Sequence, residues 1–320
     1  MIDATDLRGV LGIVPTPATP DAERWDAEHT VNLPETERMV RTVVGDGITA
    51  LMTTGTFGEC ATLTEPELLE FVDCVVRTVG GSVPVFAGIT TLNTRDTIRR
   101  GRALVDAGAA GLFVGRPMWL AMDDAAIVRY YGDIAEALPG VPLVVYDNPP
   151  AFKGKISTEA YRRLAAVPEV IAAKHTGGPR LEDDLVATAG RLRVLPNAPD
   201  WYPAARAHPD LAPACWSGAV ACAPAAMATL ERAVLARDWD RAAHVSERVN
   251  WAEAPMFLGG GLAEFVDYSI QLGHVRFQHA GLVDIGPTRP PYLEAPADYV
   301  AGSEECGRRW AVLQKEFAAA

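Results

Sequence analysis

The chain has 320 residues, of which 49% are hydrophobic and 22% charged. This composition excludes a disordered or collagen-like protein and fits one large domain, or one domain with a helical annex. The 41 acidic and 29 basic residues give a formal net charge of -12, and no basic run offers a surface for a phosphate backbone. We therefore expect no nucleic-acid partner.

The start of the chain and its cysteines indicate a reducing compartment. Residues 1–9 are polar, unlike a secretory signal, and no apolar run approaches the ~20 residues of a membrane span. The five cysteines are an odd number without a C-x-x-C pair, and the six histidines are scattered singly. We expect a cytoplasmic protein with no membrane partner, no disulfide framework and no metal.

Eight short apolar runs alternate with longer amphipathic stretches, which is typical of βα units around a parallel sheet. Helices are predicted between the runs, for example over 94–107 and over 64–79, where Thr64 and Glu67 form a capping-box pattern. The predicted strands are residues 10–14, 48–53, 83–88, 110–114, 141–146, 170–174, 193–195 and 212–216.

Eight strands with helical returns favour an α/β fold, a closed (β/α)₈ TIM barrel. An open doubly wound sheet usually has fewer strands, and no G-x-G-x-x-G motif follows the first strand. After Trp216 the sequence becomes alanine-rich, charged and helical. We predict a barrel with the active site over 1–222 and a C-terminal helical region over 223–320, with breaks at 259–261 and 286–291.

Functional groups of a barrel collect where strands end, and the second strand ends in a glycine-rich turn. The turn reads Thr-Thr-Gly-Thr-Phe-Gly-Glu over 53–59. Gly55 and Gly58 allow backbone N–H groups to turn toward one point beside the Thr56 hydroxyl, a concavity that suits a carboxylate or phosphate. An ordinary structural turn explains the same pattern.

The sixth predicted strand delivers Lys174 at its end. An apolar wall can lower the pKa of a lysine by ~3 units, which would leave a neutral amine able to attack a ketone and form a Schiff base. The alternative is a lysine that extends to solvent or pairs with an acid.

The fifth predicted strand ends in Tyr146, which the barrel places beside Lys174 at the same level. A phenol next to a Schiff-base lysine can move protons to and from substrate hydroxyls. Tyr146 could equally cap its strand with the hydroxyl in water. Asn148 either binds substrate or makes the turn before Pro149.

At these residues the sequence resembles the dihydrodipicolinate synthase / N-acetylneuraminate lyase family of pyruvate-dependent class I lyases. The resemblance covers most of the chain and rests on three separated motifs. Within the family the sequence most resembles the trans-o-hydroxybenzylidenepyruvate hydratase-aldolase branch. The motifs are Gly55-Thr56-x-Gly58-Glu59, Tyr146-x-x-Pro149 and Lys174, and those of the branch include Pro117-Met118-Trp119, Trp216-Ser217-Gly218 and Arg289-Pro290-Pro291-Tyr292.

The resemblance implies a role for each matching residue. Lys174 would form an imine with a pyruvoyl group without any cofactor, and Tyr146 would transfer protons. Thr56 and the backbone of Phe57 would hold the carboxylate. The resemblance also implies a homotetramer.

Departures from the synthase pattern favour an aryl substrate. Synthases usually carry a second threonine where this chain has Phe57, and a relay tyrosine near Trp119. We expect Phe57, Trp119 and Trp216 to line an apolar pocket for an aryl group, although each could instead pack in the core. Ser269 stands where the branch leads us to expect an asparagine.

These features predict a hydratase-aldolase that cleaves an arylidene pyruvate to an aromatic aldehyde and pyruvate. The alternatives are another pyruvate-dependent lyase or dehydratase of the same family, and a non-catalytic barrel that binds a 2-oxo acid. The ring substituent is left open: Lys153 or Arg116 would either meet a ring carboxylate or be ordinary surface charges.

Overall fold

The computed structural model describes residues 2–257 and 265–318. The predicted break at 259–261 therefore lies outside the described residues. Eight strands form one parallel sheet. They are β1 (Gly9–Ile13), β2 (Ala50–Met52), β3 (Val85–Gly88), β4 (Gly111–Val114), β5 (Leu143–Tyr146), β6 (Val170–Lys174), β7 (Arg193–Leu195) and β8 (Ala214–Ser217).

Each strand pairs with the next along the chain, and β8 returns to pair with β1. The gap between β7 and β8 is closed by a parallel bridge between Asn197 and Trp216. There the backbone N–H of Trp216 donates to the Pro196 carbonyl at 2.9 Å. The (β/α)₈ barrel is thus confirmed, and every strand lies within two residues of its predicted run.

Helices follow the strands and continue into the C-terminal region. They are α1 (Leu33–Gly45), α2 (Glu65–Val79), α3 (Thr94–Asp106), α4 (Asp124–Ala137), α5 (Thr158–Leu164), α6 (Leu181–Thr188), α7 (Ala198–Ala207), α8 (Pro224–Leu235), α9 (Trp239–Glu253), α10 (Ser269–Ala280) and α11 (Ala297–Ala318), with short 3₁₀ turns at Ala254–Met256 and Val266–Tyr268. None of these described helices is both long and apolar enough to cross a membrane.

Local sequence signals explain where the predicted helices begin. The Glu67 carboxylate accepts a hydrogen bond from the Thr64 backbone N–H at 2.8 Å, as the capping pattern predicts for the start of α2. Asn93 caps α3 by accepting from the Asp96 N–H. The predicted break at 286–291 is confirmed between α10 and α11.

Two apolar layers hold the barrel. One fills its interior with side chains such as Leu11, Met52, Phe86 and Phe113, and the other lies between strands and helices. Helix α8 is fastened to the barrel, since the Glu231 carboxylate accepts a hydrogen bond from the Val10 backbone N–H at 2.7 Å. The domain boundary at residue 222 stays a prediction.

Candidate active site

Lys174 lies at the carboxyl end of β6, in register with Tyr146 of β5. Its side chain is only 5% exposed. The amine nitrogen Nζ lies 3.6 Å from the centroid of the Trp216 ring and 4.9 Å from that of the Tyr146 ring. The Trp216 indole is held in place because its N–H donates to the His175 carbonyl at 2.7 Å.

This apolar cage decides the ionisation of Lys174. Burial disfavours the charged ammonium and lowers the pKa of Lys174 to about 7, although the nearby Asp147 carboxylate acts in the opposite direction. A large fraction of the amine is then neutral near pH 7. A neutral amine at the end of a barrel strand is a nucleophile for a carbonyl group.

The pKa of Lys174 predicts how imine formation depends on pH. Only the neutral amine attacks, so the rate should rise about tenfold per pH unit below pH 7 and level off above it. The rate of borohydride trapping with pyruvate between pH 5 and 9 measures this. A rate that still climbs toward the ordinary lysine pKa of 10.5 would contradict the prediction.

Tyr146, Thr56 and Asn148 form a hydrogen-bonded group beside the lysine. The Tyr146 hydroxyl oxygen lies 3.1 Å from the Asn148 amide nitrogen and 3.3 Å from the Thr56 backbone N–H, and both donate to it. The Tyr146 and Thr56 hydroxyl oxygens lie 2.6 Å apart, within hydrogen-bond distance, and either hydroxyl can be the donor.

The phenol is protonated at neutral pH. Burial raises the pKa of Tyr146 above its ordinary value, although the hydrogen bond with Thr56 opposes this. Its ring is fixed between Phe113, stacked at 4.4 Å between centroids, and Phe152, edge-on at 5.2 Å. The phenol of Tyr146 is therefore held in one position with its proton attached.

The turn that carries Thr56 has a strained backbone at two residues and leaves no room for a side chain at its glycines. Thr54 and Glu59 have positive φ angles of 44° and 52°. A Cβ atom at Gly58 would lie 2.6 Å from the Thr54 backbone nitrogen, so a larger residue does not fit there. A Cβ atom at Gly55 would lie 3.2 Å from the Phe113 ring. The predicted glycine-rich turn is thus a tightly constrained one.

Glu59 fastens this turn to the C-terminal region. Its buried carboxylate accepts from the His274 ring at 2.7 Å and from the Arg289 guanidinium at 2.5 Å. Burial acts to raise the pKa of Glu59, but the His274 hydrogen bond and the Arg289 charge outweigh it and hold the pKa below its ordinary value. Sequence reasoning noted Arg289 only as part of a motif and missed this contact.

Loss of Arg289 should be costly for stability. An Arg289→Met variant removes the guanidinium that pairs with the buried Glu59 carboxylate, which we expect to cost about 3–5 kcal/mol of unfolding free energy in urea denaturation. Arg237→Met is the matched control, because its pair with Asp210 is exposed and should contribute under about 1 kcal/mol. Equal losses would contradict the role given to Arg289.

A cavity of about 600 Å³ opens above the Lys174 amine. The predicted residues Thr56, Phe57, Tyr146, Asn148, Lys174 and Trp216 all line it. Gly55 is not part of the wall, and a Cβ atom there would lie 3.7 Å from the Tyr146 ring. Other residues of its wall come from distant loops and the helical region. Tyr292 is part of the Arg289-Pro290-Pro291-Tyr292 motif, whereas sequence reasoning missed Thr90, Thr176, Asn197, Phe265, Asp267 and Gln271.

Phe57 is held in a slot between two glycines. Cβ atoms at Gly218 and Gly273 would lie 2.7 and 2.9 Å from its ring, and the Arg276 guanidinium stacks 4.8 Å from the ring centroid. The prediction that Trp119 lines the cavity is wrong. Its side chain is 75% exposed, and Met118 occupies the wall instead, because neighbouring side chains in this extended loop point in different directions.

The two cations considered for a ring carboxylate are engaged elsewhere. Arg116 is 1% exposed and donates to Asp147 at 3.1 Å and to the Gly154 carbonyl at 2.6 Å. Lys153 is exposed and donates to the Trp119 carbonyl at 2.8 Å. Neither side chain belongs to the described cavity wall.

Comparison with known proteins places this geometry in a family. Residues 9–251 match the model of the dihydrodipicolinate synthetase family. The chain is 48% identical to trans-2'-carboxybenzalpyruvate hydratase-aldolase of Nocardioides sp. (strain KP7), over 99% of this chain and 97% of that protein. It is 40% identical to trans-o-hydroxybenzylidenepyruvate hydratase-aldolase of Pseudomonas putida, over 99% and 96% of the two chains.

Solved structures agree with the sequence comparison. The structure described as PhdJ bound to substrate intermediate is 51% identical, superposes with a TM-score of 0.97 and covers 99% of both chains. A dihydrodipicolinate synthase from Acinetobacter baumannii complexed with pyruvate, at 21% identity and a TM-score of 0.79, shares the fold. The chain belongs to the dihydrodipicolinate synthetase family.

Proposed function

We propose that this protein is a Schiff-base hydratase-aldolase that cleaves an arylidene pyruvate to an aromatic aldehyde and pyruvate. The observation that carries the proposal is the buried Lys174 amine, with a pKa of about 7, in an apolar cavity beside Tyr146 and Thr56. The names of relatives at 48% and 40% identity support the aryl substrate.

In this mechanism the Lys174 amine attacks the ketone carbon, and the carbinolamine loses its hydroxyl as water after Tyr146 protonates it. The resulting iminium withdraws electrons along the conjugated double bond. Water adds to the carbon that bears the aryl group, the Tyr146 phenolate takes the released proton, and Tyr146 then passes this proton to the neighbouring carbon, which leaves it a base again. The product of this half of the reaction is a β-hydroxy iminium on Lys174.

Cleavage then runs as a retro-aldol step. Tyr146 removes the proton of the new hydroxyl, the carbon–carbon bond breaks, and the aldehyde leaves while its electron pair forms an enamine on Lys174. Protonation of the enamine carbon and hydrolysis release pyruvate and restore the amine. In this proposal the Thr56 hydroxyl and the backbone of Phe57 hold the carboxylate throughout, and the net reaction consumes one water and needs no cofactor.

Trapping of the imine tests this proposal. Incubation with pyruvate and borohydride, followed by peptide mass spectrometry, should give a reduced pyruvoyl adduct on Lys174. In parallel, an arylidene pyruvate should yield equal amounts of aromatic aldehyde and pyruvate. An adduct on another residue, or turnover without any adduct, would overturn the proposed mechanism.

We further propose a cytoplasmic homotetramer. All five cysteines are free thiols and four of them are buried, which supports a reducing compartment. The tetramer comes from the family resemblance, and light scattering of the full chain measures it directly.

A further inference from the structure

The ring of Phe57 lies in a slot that is built by distant parts of the chain. A Cβ atom would lie 2.7 Å from this ring at Gly218, just after β8, and 2.9 Å from it at Gly273 of α10. The Arg276 guanidinium, three residues further along α10, lies over the ring at 4.8 Å from its centroid. We call Gly218, Gly273 and Arg276 the ring slot.

Arg276 is itself fixed by buried contacts. It is 1% exposed, its guanidinium donates to the Gly218 carbonyl at 2.7 Å, and it pairs with the Glu253 carboxylate at 3.3 Å. The guanidinium also lies 4.8 Å from the centroid of the Phe277 ring, which meets the Phe57 ring edge-on at 6.1 Å. A planar cation held by two hydrogen bonds and two rings has little freedom to move. The slot therefore holds the Phe57 ring in one orientation.

The backbone of Phe57 carries a free donor. The Thr56 backbone N–H donates to the Tyr146 hydroxyl at 3.3 Å, and the Glu59 backbone N–H donates to the Thr56 carbonyl at 3.0 Å. Among the residues that the structure describes, the Phe57 N–H has no such partner. On the proposed function, this N–H receives the substrate carboxylate together with the Thr56 hydroxyl.

The orientation of the ring and the direction of the Phe57 N–H are coupled. The rotamers open to a side chain depend on its backbone angles, so a ring locked in a slot restricts the backbone that carries it. Hydrogen bonds at Thr56 and Glu59 fasten the turn on either side of Phe57. The ring slot acts on Phe57 itself, and two of its three members belong to α10.

We propose that Arg276 is a positioning residue for the substrate carboxylate. By holding the Phe57 ring in the slot, it aims the Phe57 backbone N–H at that group. Arg276 does not belong to the described cavity wall, so it acts through Phe57 and not by touching the substrate. The inference rests on the proposed function and adds to it a residue of the helical region.

A competition between two ketones isolates the contribution of the carboxylate. Acetone forms the same kind of imine as pyruvate but has no carboxylate, so only pyruvate uses the Phe57 N–H. Both ketones are incubated with the protein and borohydride, acetone in excess, and peptide mass spectrometry gives the ratio of the two reduced adducts on Lys174. Damage to the amine or its cage would slow both adducts, whereas a misplaced N–H lowers the ratio of pyruvate adduct to acetone adduct.

Two variants disturb the ring in different ways. Arg276→Met removes the cation over the ring, but it also leaves the buried Glu253 carboxylate unpaired, which destabilises the fold. Gly273→Ala keeps Arg276 and its partners, favours the helix, and places a Cβ atom 2.9 Å from the ring, which must then move. Each variant should lower the adduct ratio about tenfold, since a hydrogen bond to a charged group contributes by that order.

Gly132→Ala is the matched control. It makes the same change inside α4, where a Cβ atom would meet nothing within 4 Å, and it should leave the adduct ratio unchanged. With an arylidene pyruvate as substrate, Gly273→Ala should raise KM about tenfold and leave kcat within about twofold, because the carboxylate is held equally before and during the reaction.

The outcomes separate this inference from the proposed function. A wild-type adduct ratio in Gly273→Ala, or in folded Arg276→Met, would overturn the inference alone. An equal change of the ratio in Gly132→Ala would do the same. No adduct of either ketone on wild-type Lys174 would overturn the proposed function, and the inference with it.

Discussion

Replacing Lys174 by alanine is expected to lower arylidene pyruvate turnover by about 10⁴-fold or more, because the nucleophile that forms the imine is gone. Steady-state release of aldehyde measures the loss, and pyruvate with borohydride should no longer label the protein. Lys174→Arg keeps a cation but supplies no reactive amine, so it should be equally inactive.

Lys315→Ala is the control for this variant, since Lys315 is an exposed lysine in the last turn of α11. It should retain wild-type turnover. The Lys174→Ala variant should also keep its thermal unfolding temperature, because the amine is held in an apolar cage that does not favour its charge. Residual turnover in Lys174→Ala near that of wild type would rule out the imine.

The second large effect is expected for Tyr146→Phe. Removal of the phenol hydroxyl takes away the proton donor at every step, so kcat should fall about 10²- to 10³-fold. Trapping of pyruvate on Lys174 should persist at a reduced rate, because the amine and its cage remain. This split between turnover and trapping would not arise from a merely structural loss.

Tyr130→Phe is the matched control for the phenol. The Tyr130 hydroxyl is buried and donates to the Gly115 carbonyl at 3.0 Å, away from the cavity wall. Its loss should reduce stability by about 1 kcal/mol and leave kcat close to wild type. A Tyr146→Phe variant that loses trapping and turnover equally would contradict the proton-transfer role.

The barrel and the neighbouring positions of Tyr146 and Lys174 were predictable, because both depend on the local periodicity of apolar residues. Strand runs with helical returns determine the order of pairing, and parallel register then puts Tyr146 beside Lys174. A lowered pKa of Lys174 was one of two interpretations of the sequence, and it is the burial of the amine among apolar side chains that decides between them.

The parts that sequence reasoning missed depend on long-range packing. Trp119 was expected in the cavity from its aromatic character, but the direction of a side chain in a loop is not set by any periodic pattern. Asp267 and Gln271 reach the site only because α10 docks above the barrel mouth. Their spacing from Lys174 along the chain carries no signal of that contact.

The bond between Glu59 and Arg289 spans 230 positions of the chain. The turn that presents Thr56 is therefore complete only after a residue near the carboxyl terminus has docked. A growing chain that has already made all eight strands would still lack this fastening. Catalytic competence should accordingly appear late in biosynthesis, as a single event that follows the arrival of the last helices, and not gradually as the barrel closes.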